Sequence, residues 1–209
     1  MASPQALRIE RTGVARSLRW MRVDAPLRLL PFAALYAVVV AIWHPRWAGW
    51  SVGWACWQLA AGVAGGVLLF IAAALVQLRL TRRRGGLRVP ADLRDLGLQT
   101  AFYAVNGPLE EAFFRGLVQG GLGALTGLPV AGFAVATAAY VLYHRLGAWT
   151  WPDVFATALA GIPLGLAFWL LPGPPSLLAV AIAHIGATCG FLGPGPWLLY
   201  RVGLLRPAA

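Results

Sequence analysis

Five acidic or histidine side chains lie in the otherwise apolar part of the chain beyond residue 95, and they are its candidates for chemistry. They are Glu110, Glu111, His144, Asp153 and His184. Ionisable groups at membrane depth are costly, and they normally face the interior of a helix bundle or a water-filled cavity. Carboxylates and imidazoles can accept and deliver protons when their surroundings tune them, so these positions indicate acid–base chemistry.

Helical geometry separates the two glutamates into a structural and a reactive carboxylate. Glu111 and Arg115 are four residues apart and share a helix face, whereas Glu110 and Arg115 are five apart and diverge. We therefore expect Glu111 to pair with Arg115 as structural support, which leaves Glu110 free. Because Glu110 precedes Phe113 and Phe114 closely, its carboxyl group should hold a proton more tightly than usual, as suits a general base. The alternative, in which Glu110 pairs with a distant arginine, stays open.

Each of the two histidines has a polar neighbour one helical turn away. Tyr140 precedes His144 by four residues, and Thr188 follows His184 by four, so each pair shares a helix face. The Thr188 hydroxyl can donate a hydrogen bond beside His184. Two simpler interpretations also stand: His144 as an interfacial residue, and His184 as a buried histidine bonded to a neighbouring helix.

The composition places these residues in a membrane protein. Hydrophobic residues make up 59% of the chain and charged residues 11%, against about 25% charged residues in a soluble domain. Because a helix needs roughly 20 apolar residues to cross a bilayer, the chain has room for about six spans. The sequence therefore predicts an all-α, polytopic transmembrane helix bundle. The predicted spans are 27–45, 52–78, 108–126, 129–146, 153–171 and 175–192.

A break in the helical pattern is expected just before the Glu-Glu motif. Asn106, Gly107 and Pro108 interrupt it, and proline suits the first turn of a new helix, where its missing N–H donor costs nothing. A broken or re-entrant segment would put Glu110 near the start of a span. It could then meet His144, which ends a run that returns to the cytoplasm.

The basic residues predict the orientation. All 17 are arginines, and they cluster before the first apolar run and between residues 79 and 94. The positive-inside rule places both clusters in the cytoplasm, with an aromatic belt at Trp43, Trp47 and Trp50 opposite. We therefore expect a cytoplasmic basic N-terminal segment, 1–26, and a single transmembrane domain, 27–205.

The charge pattern also indicates one partner and excludes another. Arginines at the ends of apolar runs do not form a nucleic-acid face, so no nucleic-acid partner is expected, and the lipid bilayer is. The exclusive use of arginine suggests a GC-rich prokaryotic genome. In a prokaryote, we expect the protein in the inner (cytoplasmic) membrane. The arginine clusters predict a cytoplasmic N-terminus.

Together the motifs resemble the CAAX-processing and bacteriocin-processing (CPBP, or Abi) family of intramembrane endopeptidases. The family pattern is two glutamates with an arginine five residues after the first, then Phe-x-x-x-His, then His-x-x-x-Asn. The first motif matches here, whereas Tyr140 replaces the Phe and Thr188 the Asn. The resemblance covers residues 108–192, the core motif region of the expected protease domain.

The resemblance implies hydrolysis of a peptide bond near a membrane-associated terminus of a protein or peptide. Glu110 would be the base, with His144 sharing the activated water. His184 and Thr188 would stabilise the oxyanion, with Asn106 as a possible substitute for the missing Asn. Prenylated C-termini, leader peptides and C-terminal sorting signals are all possible substrates.

A metal remains an open question at this stage. Glu110, His144 and His184 could supply the three protein ligands of a catalytic zinc site, with water in the fourth position. However, there is no His-Glu-x-x-His motif, and a zinc-bound Glu110 would leave no other obvious base. The glutamate mechanism itself requires no cofactor.

Other functions fit the residues less well. No serine lies in a Gly-x-Ser-x-Gly elbow, and Asp153 alone cannot form an aspartyl pair. The non-enzymatic alternative is a small transporter or scaffold that uses Glu110, His144 and His184 as a proton relay. Repeated halves with matching broken helices, which transporters commonly have, are not seen in the sequence.

Overall fold

The computed structural model describes residues 7–50, 55–147, 149–172 and 176–205. These residues form an all-α bundle with one small two-stranded sheet, which confirms the predicted fold class. The strands are β1 (Arg8–Thr12) and β2 (Gly86–Pro90). The helices are α1 (Val14–Asp24), α2 (Leu30–Trp43), α3 (Ala55–Arg84), α4 (Leu93–Glu111), α5 (Gly121–Thr126), α6 (Pro129–Tyr143), α7 (Trp151–Ala156), α8 (Ala158–Leu170), α9 (Leu177–Phe191) and α10 (Pro194–Arg201).

Fewer than six of the described helices are long and apolar enough to cross a membrane alone. Within the described ranges, three stretches are long and apolar enough to cross a membrane: Val14–Trp43, Trp57–Arg84 and Trp151–Leu170. Helices α9 and α10, bent by 45°, could together form a fourth. The fifteen-residue α6 is too short for this criterion. The predicted count of six is therefore not confirmed.

The break predicted before Glu110 is wrong, because α4 runs without interruption from Leu93 through Pro108 to Glu111. Proline removes only one backbone donor, and close packing can offset that loss within a bundle. Here a Cβ on Gly107 would lie 3.3 Å from Ile185 of α9, so the two helices touch at this point. The irregularity comes after the glutamates, as a π-helical segment from Ala112 to Gly120. Such segments occur frequently at functional sites.

The helix that contains the first span begins earlier than expected. It starts at Val14 and passes through a second π-helical segment, Ala25–Leu29, to the end of α2. Its start is held by β1, which pairs in parallel with β2. The buried carboxylate of Asp95 accepts hydrogen bonds from the hydroxyls of Thr12 and Ser17. This network joins the N-terminal segment to the start of α4.

Glycines let α3 and α9 approach until their backbones touch. A Cβ on Gly186 would collide with the carbonyl of Gly66, and one on Gly190 with the carbonyl of Phe70. In turn, a Cβ on Gly62 would lie 2.8 Å from the carbonyl of Ala179. Small residues spaced by four are a common basis of helix packing in membranes. This contact fixes the position of α9, which carries His184.

Candidate active site

Glu111 and His184 form the most buried part of the site. The Glu111 carboxylate is fully buried, and its Oε1 atom lies 2.6 Å from Nδ1 of His184. Its Oε2 atom accepts from Nε of Arg115 at 3.2 Å. The ion pair expected from the four-residue spacing is therefore present, and Glu111 also orients a histidine.

Arg115 joins three parts of the bundle. Its side chain is completely buried, and its Nη2 donates to the carbonyl of Gly161 in α8 at 2.9 Å. Its guanidinium also lies over the ring of Tyr140 in α6, 5.4 Å from the centroid. These contacts fit the structural role predicted for Arg115, which stays a prediction.

Glu110 is buried next to an arginine that the local sequence does not supply. The Nη1 atom of Arg28 and the hydroxyl of Tyr143 both donate to Oε1 of Glu110. No cation lies near Glu110 in the sequence, as expected, but the pairing with a distant arginine that the sequence left open is present. The reason is tertiary: Arg28 lies 82 positions away in the chain. The adjacent guanidinium favours the charged carboxylate, which opposes the tight proton binding expected from the neighbouring aromatic rings.

The second oxygen of Glu110 has a different environment. Oε2 is buried and has no hydrogen-bond partner among the described residues, and it lies 3.5 Å from Nε2 of His184. One turn earlier on α4, the buried Oδ1 of Asn106 likewise lacks a partner among those residues. Buried polar atoms normally have partners, and ordered water or ligand can supply them. Because both atoms are acceptors, they mark a place where a donor such as water or a substrate N–H could bind.

The histidines are held in defined orientations. Nδ1 of His144 lies 2.7 Å from the carbonyl of Tyr140, so this nitrogen donates and Nε2 carries the lone pair of the neutral ring. The Tyr140 hydroxyl lies 3.2 Å from Nε2 of His184. Since Nδ1 of His184 donates to Glu111, its Nε2 can accept from Tyr140. Tyr140 thus supports both histidines, one through its backbone and one through its side chain.

Thr188 has the weakest structural connection to this group. It lies on α9 one turn after His184 and is partly buried. None of the contacts around Glu110, Glu111 and His184 involves its hydroxyl; its carbonyl accepts from the N–H of Leu192 at the helix end. Within the described ranges, no hydrogen bond joins Thr188 to the other candidate residues.

A cavity of about 540 Å³ lies beside the site. Its lining includes Gln99 and Tyr103 of α4 and the stacked rings of Trp149 and Phe191. The ring of Trp149 also contacts that of His144, with 5.0 Å between centroids. Trp149 therefore borders both the cavity and His144, whereas His144 itself does not line the cavity.

The geometry does not assemble a zinc site from Glu110, His144 and His184. Across the described ranges, no group of three or more His, Cys, Asp and Glu side chains is arranged to hold a metal ion. Both ring nitrogens of His184 have protein neighbours, Glu111 on one side and Tyr140 with Glu110 on the other. These side chains do not fit a metal centre in this arrangement.

Sequence reasoning missed two residues of the site, Arg28 and Tyr143. Arg28 was counted only as one of the N-terminal arginines, although it is the one that lies inside the apolar run. Asp24, four residues earlier, offered a further signal of a partly buried pair, and the two side chains do form an ion pair. Tyr143 directly precedes His144 and gave no signal of its own.

The fold and site define a class, that of helical membrane proteins with a buried carboxylate and histidine centre. Residues 94–189 match the family described as Type II CAAX prenyl endopeptidase Rce1-like. This range includes both glutamates, both histidines, Asn106 and Thr188, but not Arg28. The match confirms the resemblance to the CPBP family and the expectation of a peptide-bond hydrolase rather than a transporter.

Two further comparisons gave no relatives. Neither the curated proteins nor the solved structures include a significant match to this chain.

Proposed function

We propose that this protein is an intramembrane endopeptidase that hydrolyses a peptide bond near a membrane-associated terminus, with Glu110 as the general base. One observation carries the proposal: Oε1 of Glu110 is held by two donors, while its buried Oε2 has no partner among the described residues. A base needs a free lone pair at a fixed position within reach of its proton donor. Oε2 meets this condition.

In the proposed reaction, Glu110 takes a proton from water as the water oxygen attacks the carbonyl carbon of the peptide bond. The C–N bond then breaks, and Glu110 returns the proton to the departing amine. The lone pair on Nε2 of His144 gives the water a second acceptor. No step requires a cofactor, and the family match leaves the question of a metal open.

The negative charge that develops on the carbonyl oxygen needs donors nearby. The Asn106 amide, one turn from Glu110 on α4, is the nearest candidate along the helix, and it is buried. His184 becomes a donor at Nε2 when it is protonated, a state that the adjacent Glu111 carboxylate favours. Thr188 keeps a lesser place in this proposal, since its hydroxyl contacts none of these groups.

The site is proposed to open towards the cytoplasm. Arg84, in the basic cluster at the end of α3, forms a 2.6 Å ion pair with Asp153 near the start of α7. His144 precedes α7 by a short 3₁₀ turn, so the basic cluster and the site belong to one end of the bundle. The neighbouring cavity would admit peptide from that side, and the bilayer would supply the lipid-anchored substrate.

A prenylated peptide with a C-terminal CAAX sequence is the first substrate to test, in view of the description of the matched family. We expect the purified protein in lipid nanodiscs to cleave a fluorescence-quenched, farnesylated peptide of this kind, and Glu110→Gln to lose the activity. A non-prenylated peptide of the same sequence is the matched control. If neither this peptide nor leader or sorting-signal peptides are cleaved by folded protein, the proposed function is wrong.

A further inference from the structure

Arg28 connects the first helix of the bundle to the glutamate proposed as base. Its Nε and Nη2 atoms donate to the two carboxylate oxygens of Asp24, one turn earlier. This double contact orients the plane of the guanidinium group. The remaining nitrogen, Nη1, donates to Oε1 of Glu110 and lies 2.7 Å from the Tyr143 hydroxyl. Tyr143 in turn donates to the same Oε1.

All of these donors act on one oxygen of Glu110. A carboxylate held at one oxygen by two donors from different helices cannot rotate freely about its last bond. Its other oxygen, Oε2, therefore keeps one direction, beside Nε2 of His184. Correct placement of a reacting group matters greatly for rate, since a misplacement of about 1 Å can cost roughly 100-fold.

We propose that Arg28 and Tyr143 are positioning residues of the hydrolytic reaction, which together hold Oε1 of Glu110 so that Oε2 faces the reacting water. Asp24 restrains Arg28 in this arrangement. The inference rests on the proposed function, because it assigns roles relative to Glu110 as base. Arg28 and Asp24 lie outside the residues matched by the family, so the match assigns them no role.

Aromatic packing keeps Arg28 in place. Phe32, one turn after Arg28, stacks on Phe113 with 4.1 Å between the ring centroids and an angle of 8°. Phe113 lies in the π-helical segment that directly follows the Glu-Glu motif. The segment next to Glu110 therefore also packs against the helix that carries Arg28.

A purely structural ion pair makes a different prediction from a positioning pair. If Arg28 only neutralises a buried charge, its replacement lowers stability but leaves kcat intact in the protein that folds. If it positions Glu110, folded protein shows a lower kcat with little change in KM. Arg28 is 24% exposed, so a small cation from solution can reach the space that its side chain leaves.

The test compares Arg28→Ala, Arg28→Lys and Tyr143→Phe with the wild type in nanodiscs on the farnesylated peptide. We expect kcat to fall about 100-fold for Arg28→Ala and about tenfold for Tyr143→Phe, which loses one orienting hydrogen bond. KM should stay within about twofold in both. Arg28→Lys should retain intermediate activity, because Lys keeps the positive charge but cannot bind Asp24 and Glu110 at the same time through a rigid guanidinium.

Added methylguanidinium should restore part of kcat in Arg28→Ala but not in Tyr143→Phe. Arg22→Ala, an exposed arginine of the same helix, is the matched control and should behave as wild type.

Wild-type kcat in folded Arg28→Ala and Tyr143→Phe would overturn the positioning role, as would the absence of any methylguanidinium effect. If Arg28→Ala does not fold, Arg28→Lys and Tyr143→Phe decide the question by the same comparison of kcat with KM. If the wild type cleaves none of the peptides, the proposed function itself fails and this inference falls with it. Cleavage by the wild type with unaffected variants rejects only the inference.

Discussion

The imidazole of His184 is bound to the carboxylate of Glu111, with Nδ1 2.6 Å from Oε1. The same carboxylate is paired with Arg115, so each of the two adjacent glutamates has its own arginine. Glu111 binds His184 and the buried guanidinium of Arg115. Glu110 is held by Arg28 and Tyr143, and its other oxygen has no hydrogen-bond partner among the described residues.

This difference predicts opposite phenotypes for the two glutamates. Glu110→Gln preserves the hydrogen bonds to Arg28 and Tyr143 but cannot take a proton, so we expect a normally folded protein with roughly 100-fold to 10,000-fold lower kcat. Glu111→Gln should lower the Tm, because it leaves Arg115 buried without its counter-charge. Thermal unfolding and single-turnover cleavage of both variants provide the measurement. Near wild-type cleavage by Glu110→Gln would contradict the mechanism.

The burial of Arg115 predicts a loss of folded protein when it is removed. Arg115→Ala should strand Glu111, at a cost of about 3–5 kcal/mol. Abundance after extraction and the Tm of the purified protein measure this effect. The double variant Glu111→Gln/Arg115→Met, which removes both charges, should recover part of the lost stability. Normal stability of Arg115→Ala together with lost activity would instead mean that Arg115 contacts substrate.

The contact between α3 and α9 predicts that Gly186 does not tolerate a side chain. Gly186→Ala would force its Cβ against the Gly66 backbone, and overpacking of this kind typically costs about 1–3 kcal/mol. Gly97→Ala in α4 is the matched control, because a Cβ there has no neighbour within 4 Å. The control should be neutral or stabilising. Equal Tm values for the two variants would argue against close contact of α3 with α9.

The Asp95 network predicts a dependence of stability on pH. Burial raises the pKa of Asp95, but hydrogen bonds donated by Ser17 and Thr12 outweigh this and hold the pKa below its ordinary value. The stabilisation that the charged Asp95 carboxylate adds to the folded protein is therefore complete above about pH 4. It is lost as the pH falls through the lowered pKa. At pH 7, Asp95→Asn should be about 1.5–3 kcal/mol less stable than wild type, and this gap should close on acidification. A gap that is constant with pH would show that the charge of Asp95 does not matter. Asp92→Asn, which keeps an effective helix cap, should change stability little at either pH.

The arginine distribution predicts that the end of α3 and its connection to α4, residues 79–94, lie in the cytoplasm. In a background with Cys56 and Cys189 replaced by alanine, Arg83→Cys should resist an impermeant thiol reagent in intact cells and react after permeabilisation. Arg46→Cys, in the exposed loop after α2, should react without permeabilisation. Labelling of Arg83→Cys in intact cells would mean that the orientation is the reverse of the predicted one, with the site on the opposite side of the membrane.

The sequence alone determined the features that depend on local spacing and composition. The apolar composition predicted a helical membrane bundle, and the four-residue spacing of Glu111 and Arg115 predicted their pair. The spacing of Tyr140 and His144 likewise predicted neighbours on one helix face. These features follow from the period of the α-helix and the cost of charge in lipid, which act within a few residues.

Tertiary structure decided what lies beside each reactive group. Arg28 reaches Glu110 from the first helix, and Glu111 reaches His184 across 73 positions. The helix also continues through Pro108, because packing between α4 and α9 outweighs a local preference for a break. Contacts between helices depend on how whole helices pack, through surfaces such as the one around Gly66 and Gly186. The spacing of glycines within one helix marks such a surface, but it does not tell which other helix packs against it.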